Sequence, residues 1–247
     1  HLDDPELRIV DVTTFMTPQP VGPSRTTSGK PDYERAHIPG AVHLDMVDDL
    51  SAPDGRYPYT LPTPAAFAAL LSRLGIANHH HVVLYGGSQP IVVTRSWWVF
   101  TTLDHDKVSI LDGGFDAWRD EGRPVTTDVP SHPPVAFVPR LAPERVADAD
   151  TVARLSQQLA GPGTPSCNGV LVNALLPEQF DGSGGAHYGR RGRIPGSVNV
   201  PATTLVEANS SFTSAEDAAA KFASAAVSKD LDVICYCGGA ISATIDL

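Results

Sequence analysis

The chain has 247 residues, which suits one large domain or two smaller ones. Its formal net charge of −10 argues against nucleic acid as a partner. With 42% apolar and 19% charged residues, and no apolar run near the roughly 18 residues of a membrane span, the sequence predicts a globular protein that does not enter a membrane.

The cysteines and the N-terminal residues are informative about the cellular compartment of the protein. Cys167, Cys235 and Cys237 are odd in number and too few for a disulfide framework, which favours a reducing cytoplasm. The opening HLDDPELRIV has no basic start and no apolar core, so a signal peptide is not predicted. It also lacks an initial Met, so we expect further residues before His1.

In the first half, strand-like and helix-like segments alternate. A helix is predicted over residues 64–76, with Thr63 as its N-cap, Pro64 in its first turn and Gly75 at its end. The other predicted elements are the strand LRIVDV (7–12), a long polar loop, the strand AVHL (41–44), the strand VVLY (82–85), a helix in TRSWWVFTTL (94–103), the strand VSIL (108–111) and a short helix in DGGFDAWRDEG (112–122).

A Pro-rich stretch, residues 124–143, has no helical periodicity and predicts an extended linker. Beyond it, the sequence predicts a strand in GVLVNA (169–174), a helix in SAEDAAAKFASAAV (214–227) and a strand in DVICY (232–236). Alternating strands and helices imply parallel pairing, so each half is expected to form an α/β sheet.

The two halves repeat each other. RAHIPGAVHLD (35–45) matches RGRIPGSVNVP (191–201), and HVVLYGGS (81–88) matches DVICYCGG (232–239). The first pair is offset by 156 positions, counted at the Ile of Ile-Pro-Gly, and the second by 151, counted from Gly86 to Cys237. Two motifs in the same order at nearly the same offset indicate two related domains.

Cys237 follows a predicted buried strand and precedes two glycines. Glycines allow a sharp turn and leave backbone N–H groups uncovered. The carboxyl ends of parallel strands form the crevice where open α/β sheets bind ligands. Several N–H groups directed at one sulfur would stabilise its thiolate, so Cys237 is a candidate nucleophile that needs no adjacent His. The alternative is an ordinary buried thiol.

This pattern resembles the rhodanese family of tandem sulfurtransferases over nearly the whole chain. HIPGAVHLD and RIPGSVNVP are similar to the family's paired motifs, LDGGFDAW (111–118) to the segment that ends a domain, and CGGAIS (237–242) to its six-residue active loop. The resemblance implies two rhodanese-like domains, each a mainly parallel sheet flanked by helices. We expect a domain without the catalytic Cys at 1–125, a linker at 126–144 and a catalytic domain at 145–247.

The resemblance also implies the chemistry. Cys237 would accept a sulfane sulfur from thiosulfate or 3-mercaptopyruvate, both small anions, as a persulfide and pass it to cyanide or a thiol. The loop would comprise Gly238, Gly239, Ala240, Ile241 and Ser242. No cofactor, metal, nucleic acid or membrane is implied. Gly86 takes the place of Cys237 in the first half.

Arginines before the second Ile-Pro-Gly bind a carboxylate in the 3-mercaptopyruvate type. His187, Arg190 and Arg191 are therefore candidate substrate residues, although the arginines do not align cleanly with the family positions. An ordinary solvated loop is the alternative. The glycines after Cys237 lean towards the 3-mercaptopyruvate type, but both donors stay open.

Two departures from the family pattern favour a second hypothesis, a non-catalytic sulfur-carrier or binding module. Asn173-Ala174-Leu175 replaces the usual Asp-x-Arg. The family pattern also continues after the loop with a helix and a strand, matching residues 90–120, so we expect a truncated chain.

Other residues receive simpler interpretations. A cysteine phosphatase would need Arg at Ala243, so that activity is disfavoured. Cys235 is expected to pack in the core, Cys167 to be incidental, and the His79–His81 run to be solvent-exposed instead of a metal site.

Overall fold

The structure, a computed structural model, describes residues 2–162, 167–187 and 189–247. It divides into two compact units. Unit 1 comprises His1–Thr17, Arg25–Pro143 and Ala208–Ser211, and unit 2 comprises Pro18–Ser24, Glu144–Glu207 and Phe212–Leu247.

In unit 1, a four-stranded parallel sheet has the order β4-β1-β5-β6. Beside it, β2 and β3 form an antiparallel pair. The strands are β1 (Leu7–Asp11), β2 (Thr14–Thr17), β3 (Arg25–Ser28), β4 (Ala41–His43), β5 (His81–Tyr85) and β6 (Val108–Ile110); the helices are α1 (Lys30–Arg35), α2 (Pro64–Arg73), α3 (Pro90–Thr102) and α4 (Gly114–Asp120).

In unit 2, a three-stranded parallel sheet has the order β8-β7-β9. Its elements are α5 (Ala149–Ala160), β7 (Gly169–Asn173), α6 (Pro177–Phe180), β8 (Val198–Asn199), α7 (Ala215–Ser224) and β9 (Asp232–Tyr236), with 3-10 turns at Pro143–Arg145, Ala202–Thr204 and Ser242–Thr244. Parallel sheets flanked by helices confirm the predicted fold class.

Local sequence accounts for the helix ends. The Thr63 hydroxyl accepts the N–H of Ala66, which caps α2, and Pro64 occupies the first turn. Gly75 has a positive φ of 68°, the left-handed conformation that ends a helix. Asp148 and Ser214 cap α5 and α7 in the same way as Thr63.

The repeat inferred from the sequence is visible in the hydrogen bonds of both sheets. Asp11 pairs with Tyr85 in unit 1, and Asn173 pairs with Tyr236 in unit 2. The carbonyl oxygen of Tyr85 accepts the N–H of Val12 at 2.9 Å, and that of Tyr236 accepts the N–H of Ala174 at 3.0 Å. Therefore β9 is the counterpart of β5, and Cys237 stands where unit 1 has Gly86.

The polar segment after β1 is more ordered than its sequence predicts. Instead of a long loop, residues 14–35 contain the β2–β3 pair and α1. The two strands have only four residues each and are partly exposed, so they lack the apolar alternation that identifies a longer strand.

Residues 127–142 of the Pro-rich stretch contain no helix or strand, and this segment belongs to unit 1. Phe137 is 7% exposed and lies edge-on to Phe67, with ring centroids 5.6 Å apart. Asn78 exchanges two hydrogen bonds with the backbone of Val138. This segment therefore contributes to the apolar core of unit 1.

One prediction about the histidines is wrong. His79 and His81 are exposed, but His80 is only 4% exposed. The Nδ1 atom of His80 accepts the N–H of Ala77 at 2.9 Å, and this bond in the tight turn before β5 turns the ring inwards. No helix within residues 2–162, 167–187 and 189–247 combines the length and apolar character needed to cross a membrane.

Candidate active site

The candidate site lies at the carboxyl end of the parallel sheet in unit 2. β7 is buried along most of its length and forms the central strand, with β9 at its side. Cys237 is the first residue after β9, and the chain then runs through residues 238–241 into the 3-10 turn Ser242–Thr244. The sulfur is thus carried by a loop whose start is fixed by the sheet.

The loop folds back so that a backbone donor reaches the sulfur. The N–H of Ile241 donates to Sγ of Cys237, with 3.3 Å between N and S. Ala240 makes the return possible, because it adopts a left-handed φ of 56°. The Thr244 hydroxyl donates to the carbonyl oxygen of Ile241 at 2.7 Å and holds the far side of the turn. An N–H directed at Sγ stabilises the thiolate over the thiol.

Small residues form the floor of the loop. Ala174, Ala202 and Ala243 are buried together, and Cys235 and Cys237 pack against them. Ala243 is 6% exposed and occupies the position at which a cysteine phosphatase would carry its arginine. These three alanines therefore shape the base of the loop and bring no charged side chain to it.

Cys235 differs sharply from Cys237 in its surroundings. Burial raises the pKa of the Cys235 thiol to about 12. Cys235 therefore remains a neutral thiol at physiological pH and packs against the apolar core of unit 2. Cys167, which precedes β7, is partly exposed and is a free thiol like the other two.

Sequence reasoning missed Asp246. Its side chain is 9% exposed, and neither carboxylate oxygen has a hydrogen-bond partner among the described residues. Burial raises the pKa of Asp246 to about 8. The carboxyl group is therefore largely protonated at neutral pH, and it places little negative charge near the loop. Asp246 stands in a short apolar run, and no pattern in the sequence indicated that its carboxyl group would be buried.

In unit 1, the loop that corresponds to the Cys237 loop begins at Gly86 and leaves little room for a side chain there. A Cβ built on Gly86 would lie 2.9 Å from Cγ2 of Val93, closer than real contacts allow. The side chain of Gln89 makes two hydrogen bonds with the backbone of Met16. It accepts the N–H of Met16 at 2.8 Å and donates to the carbonyl oxygen of Met16 at 3.3 Å. The pocket lined by Gly86, Gln89 and Val92 is too small for a water molecule.

The candidate substrate residues lie in the loop between α6 and β8. Arg190 is exposed, and Nη1 of Arg191 reaches the oxygen of Gly185 at 3.4 Å. Nδ1 of His187 accepts the N–H of Gly189 at 3.2 Å. Within the described part of the chain, no hydrogen bond or ion pair joins these three residues to Cys237.

The third arginine of this cluster has a structural contact. The guanidinium of Arg193 lies over the ring of Phe180, 4.6 Å from its centroid. The hydrogen bonds of Ser183 lower the pKa of Asp181, and the charge of Arg193 adds to the effect. Arg193 therefore orders the base of the loop.

No group of three or more His, Cys, Asp or Glu side chains in residues 2–162, 167–187 and 189–247 is arranged to hold a metal ion.

Comparison with known proteins identifies the family. The family model described as "Rhodanese-like domain" matches residues 1–121. The chain is 31% identical to the sulfur carrier protein TtuD of Thermus thermophilus, over 96% of this chain and 78% of that protein. It is 30% identical to the 3-mercaptopyruvate sulfurtransferase of Escherichia coli K12, over 100% of this chain and 83% of that protein.

A solved structure gives the same result. The crystal structure of SseA, a 3-mercaptopyruvate sulfotransferase from Escherichia coli, superposes with a TM-score of 0.84 at 28% identity, over 100% of this chain and 87% of that one. Full-length similarity to these proteins extends beyond the first half, to which the family model is confined. The chain therefore belongs to the rhodanese family of tandem-domain sulfurtransferases.

Proposed function

We propose that this sulfurtransferase moves a sulfane sulfur through a persulfide on Cys237, from thiosulfate or 3-mercaptopyruvate to cyanide or a thiol. The observation that carries the proposal is the contact between the Ile241 N–H and Sγ of Cys237, at the carboxyl end of a parallel strand. Among the cysteines of the described residues, Cys237 is the one in a loop with a backbone donor on its sulfur, whereas Cys235 lies in β9, is partly buried and packs against the core of unit 2.

In the first step, the Cys237 thiolate attacks the outer sulfur of the donor and forms an S–S bond. With thiosulfate, the bond between its two sulfurs breaks and sulfite leaves with the electron pair. With 3-mercaptopyruvate, the C–S bond breaks, and the carbon takes the electron pair and a proton to become pyruvate. Either way, the product is a persulfide on Cys237.

In the second step, a nucleophile attacks the outer sulfur of the persulfide. Cyanide leaves as thiocyanate, and a thiol acceptor leaves as its own persulfide. The Cys237 thiolate is regenerated with the electron pair of the broken S–S bond. The N–H of Ile241 stabilises this negative charge at the moment it returns to Sγ.

The donor is an anion, and exposed arginines support its capture. Arg190 and Arg191 are both exposed in a chain with a net charge of −10, so they form a local positive region beside His187. We propose that these three residues attract the donor. The three free cysteines support a reducing compartment, the cytoplasm, as the place of action.

A second candidate function is sulfur carriage. The relative in Thermus thermophilus is named a sulfur carrier protein, at 31% identity. In that case Cys237 would receive its sulfur from a partner and deliver it to a protein, without turnover of small donors. The same residue would carry the persulfide, so the two functions differ in donor and acceptor.

The test is an intact-mass measurement after incubation with thiosulfate or 3-mercaptopyruvate. We expect a gain of one sulfur that cyanide removes. Cys237→Ser should lose this gain. The matched variant Cys235→Ser should retain it, because Cys235 is neutral and partly buried.

The acceptor side separates the two functions. Repeated turnover with cyanide or a small thiol supports the enzyme, and the ratio of rates for the two donors identifies the substrate. If neither donor adds sulfur to Cys237 in the wild-type chain, the proposed enzyme function is wrong. Sulfur that is accepted from a persulfidated protein alone would favour the carrier.

A further inference from the structure

Both repeats contain the same contact between a strand end and the Ile-Pro-Gly turn. In unit 1 the N–H of Ile38 donates to the hydroxyl oxygen of Tyr85 at 3.3 Å. In unit 2 the N–H of Ile194 donates to the hydroxyl oxygen of Tyr236 at 3.0 Å. Each tyrosine is the last residue of its strand, directly before Gly86 or Cys237. The motif that first indicated the repeat is therefore bonded to the residue that precedes the loop.

Unit 2 adds two hydrogen bonds that unit 1 does not have the atoms to make. Oγ of Ser197 lies 2.7 Å from the Tyr236 hydroxyl oxygen and 2.7 Å from the carbonyl oxygen of Ile194. Ala41 occupies the corresponding position in unit 1 and has no hydroxyl. The two additional bonds thus belong to the repeat that contains the cysteine.

The donors and acceptors of this group can be assigned. The oxygen of Ile194 accepts only, so Ser197 must donate its hydroxyl proton there. Tyr236 must then donate to Oγ of Ser197, and it accepts the N–H of Ile194. The three bonds form a closed ring in which each hydroxyl proton is used once. Ser197 is 9% exposed, whereas Tyr236 and Ile194 are partly exposed, so the ring is partly shielded from water.

The ring fixes the residue next to the sulfur. The backbone of Tyr236 is held by β7 through the N–H of Ala174, and its side chain is held by Ile194 and Ser197. The orientation of Cys237 follows directly from that of Tyr236. The sulfur must meet the Ile241 N–H at 3.3 Å, and a shift of about 1 Å is enough to weaken such a catalytic contact substantially.

We infer that Tyr236 and Ser197 are positioning residues that set the orientation of Cys237 for sulfur transfer. This inference rests on the proposed function, in which Cys237 is the nucleophile. Among the described residues, neither of the two makes a hydrogen bond to the sulfur; they act through the strand end that carries it. The equivalent pair in unit 1, Tyr85 and Ala41, precedes a loop without a thiol and provides a natural control.

The test measures how fast iodoacetamide alkylates Cys237 as a function of pH, with the modified peptide followed by mass spectrometry. For Tyr236→Phe, we expect alkylation at pH 7 to slow about three- to ten-fold and the midpoint to rise by about half to one pH unit, as for one weakened hydrogen bond. Ser197→Ala should have a smaller effect in the same direction. Ser197→Thr keeps the hydroxyl and should restore the wild-type profile.

Tyr85→Phe is the matched control, since it removes the same hydroxyl from unit 1. It should leave the profile of Cys237 unchanged. Cys235 and Asp246, the titratable groups at this end of β9, are unaltered in every variant. A shift in the midpoint would therefore report the geometry of the loop.

Alkylation needs no sulfur donor, so this test is separate from that of the proposed function. Wild-type protein that takes no sulfur from either donor would disprove the function, whatever the alkylation result. The positioning inference fails if Tyr236→Phe and Ser197→Ala both keep the wild-type profile. It also fails if Tyr85→Phe shifts the midpoint of Cys237 as much as Tyr236→Phe does. Should Tyr236→Phe not fold, Ser197→Ala and Ser197→Thr decide the question.

Discussion

At the carboxyl end of β9, two cysteines in one short segment have different surroundings. Cys235 and Cys237 are two positions apart, yet Cys235 has a pKa raised to about 12 by burial, whereas Cys237 receives a backbone N–H. Asp246 is kept protonated by the same lack of solvent, with a pKa of about 8. The local surroundings therefore distinguish a core thiol from a candidate nucleophile.

The buried histidines of unit 1 give a pH prediction at the same scale. Burial lowers the pKa of His105 to about 4, and neither of its ring nitrogens has a hydrogen-bond partner among the described residues. Between pH 6.5 and 4 the unfolded chain binds a proton that the folded chain does not. The free energy of unfolding should therefore decrease as the pH falls through this window, and His80, with a pKa of about 4, adds to the loss.

The measurement is urea unfolding at pH 7.5 and pH 5. We expect wild-type protein to be less stable at pH 5, and His105→Leu to show a smaller difference between the two pH values. The exposed His79 is the control, and His79→Gln should keep the wild-type difference. An unchanged difference in His105→Leu would mean that His105 does not titrate in this range.

At the scale of elements, residues 127–142 of the Pro-rich stretch belong to unit 1 although they contain no helix or strand. Phe137 packs edge-on against Phe67 of helix α2 and lies in the same core cluster as Phe100 of helix α3. A backbone segment without regular structure can still bury an aromatic ring, and that ring contributes to stability. The expected linker over 126–144 therefore includes residues that pack in a core.

Phe137→Ala tests this packing. We expect a loss of about 3–5 kcal/mol in the free energy of unfolding, the range for large-to-small changes at buried aromatic sites. The neighbouring Val138 is 72% exposed, so Val138→Ala should change the stability by less than about 0.5 kcal/mol. Equal effects of the two substitutions in chemical unfolding would show that the segment does not rely on Phe137.

At the scale of the whole molecule, the two units share one fold but differ in the loops that begin at Gly86 and Cys237. Both have a central strand, an Ile-Pro-Gly turn and a tyrosine at the strand end, and in both the tyrosine hydroxyl accepts the N–H of the Ile in that turn. In unit 1, Val93 leaves no room for a Cβ at Gly86, and the side chain of Gln89 is bonded to the backbone of Met16. The difference between the copies is therefore one of packing as well as of the missing thiol.

A cysteine introduced at Gly86 should not enable unit 1 to accept sulfur from a donor. In the double variant Gly86→Cys with Cys237→Ser, the new side chain would meet Val93 at 2.9 Å from its Cβ. We expect no cyanide-labile sulfur adduct after incubation with either donor, and a lower unfolding temperature. An adduct on the new cysteine would contradict this prediction and show that the loop of unit 1 can open.

By itself, the sequence determined the repeat, the parallel α/β units, the capped helix α2 and the position of Cys237, because strand patterns, capping residues and the two motifs are local signals. Only the tertiary structure decided the hydrogen bond from Ile241 to Cys237, the ring through Ser197 and Tyr236, and the burial of His80, Phe137 and Asp246. These depend on segments far apart in the chain being brought together, or on a backbone conformation such as that of Ala240, which no local pattern specifies.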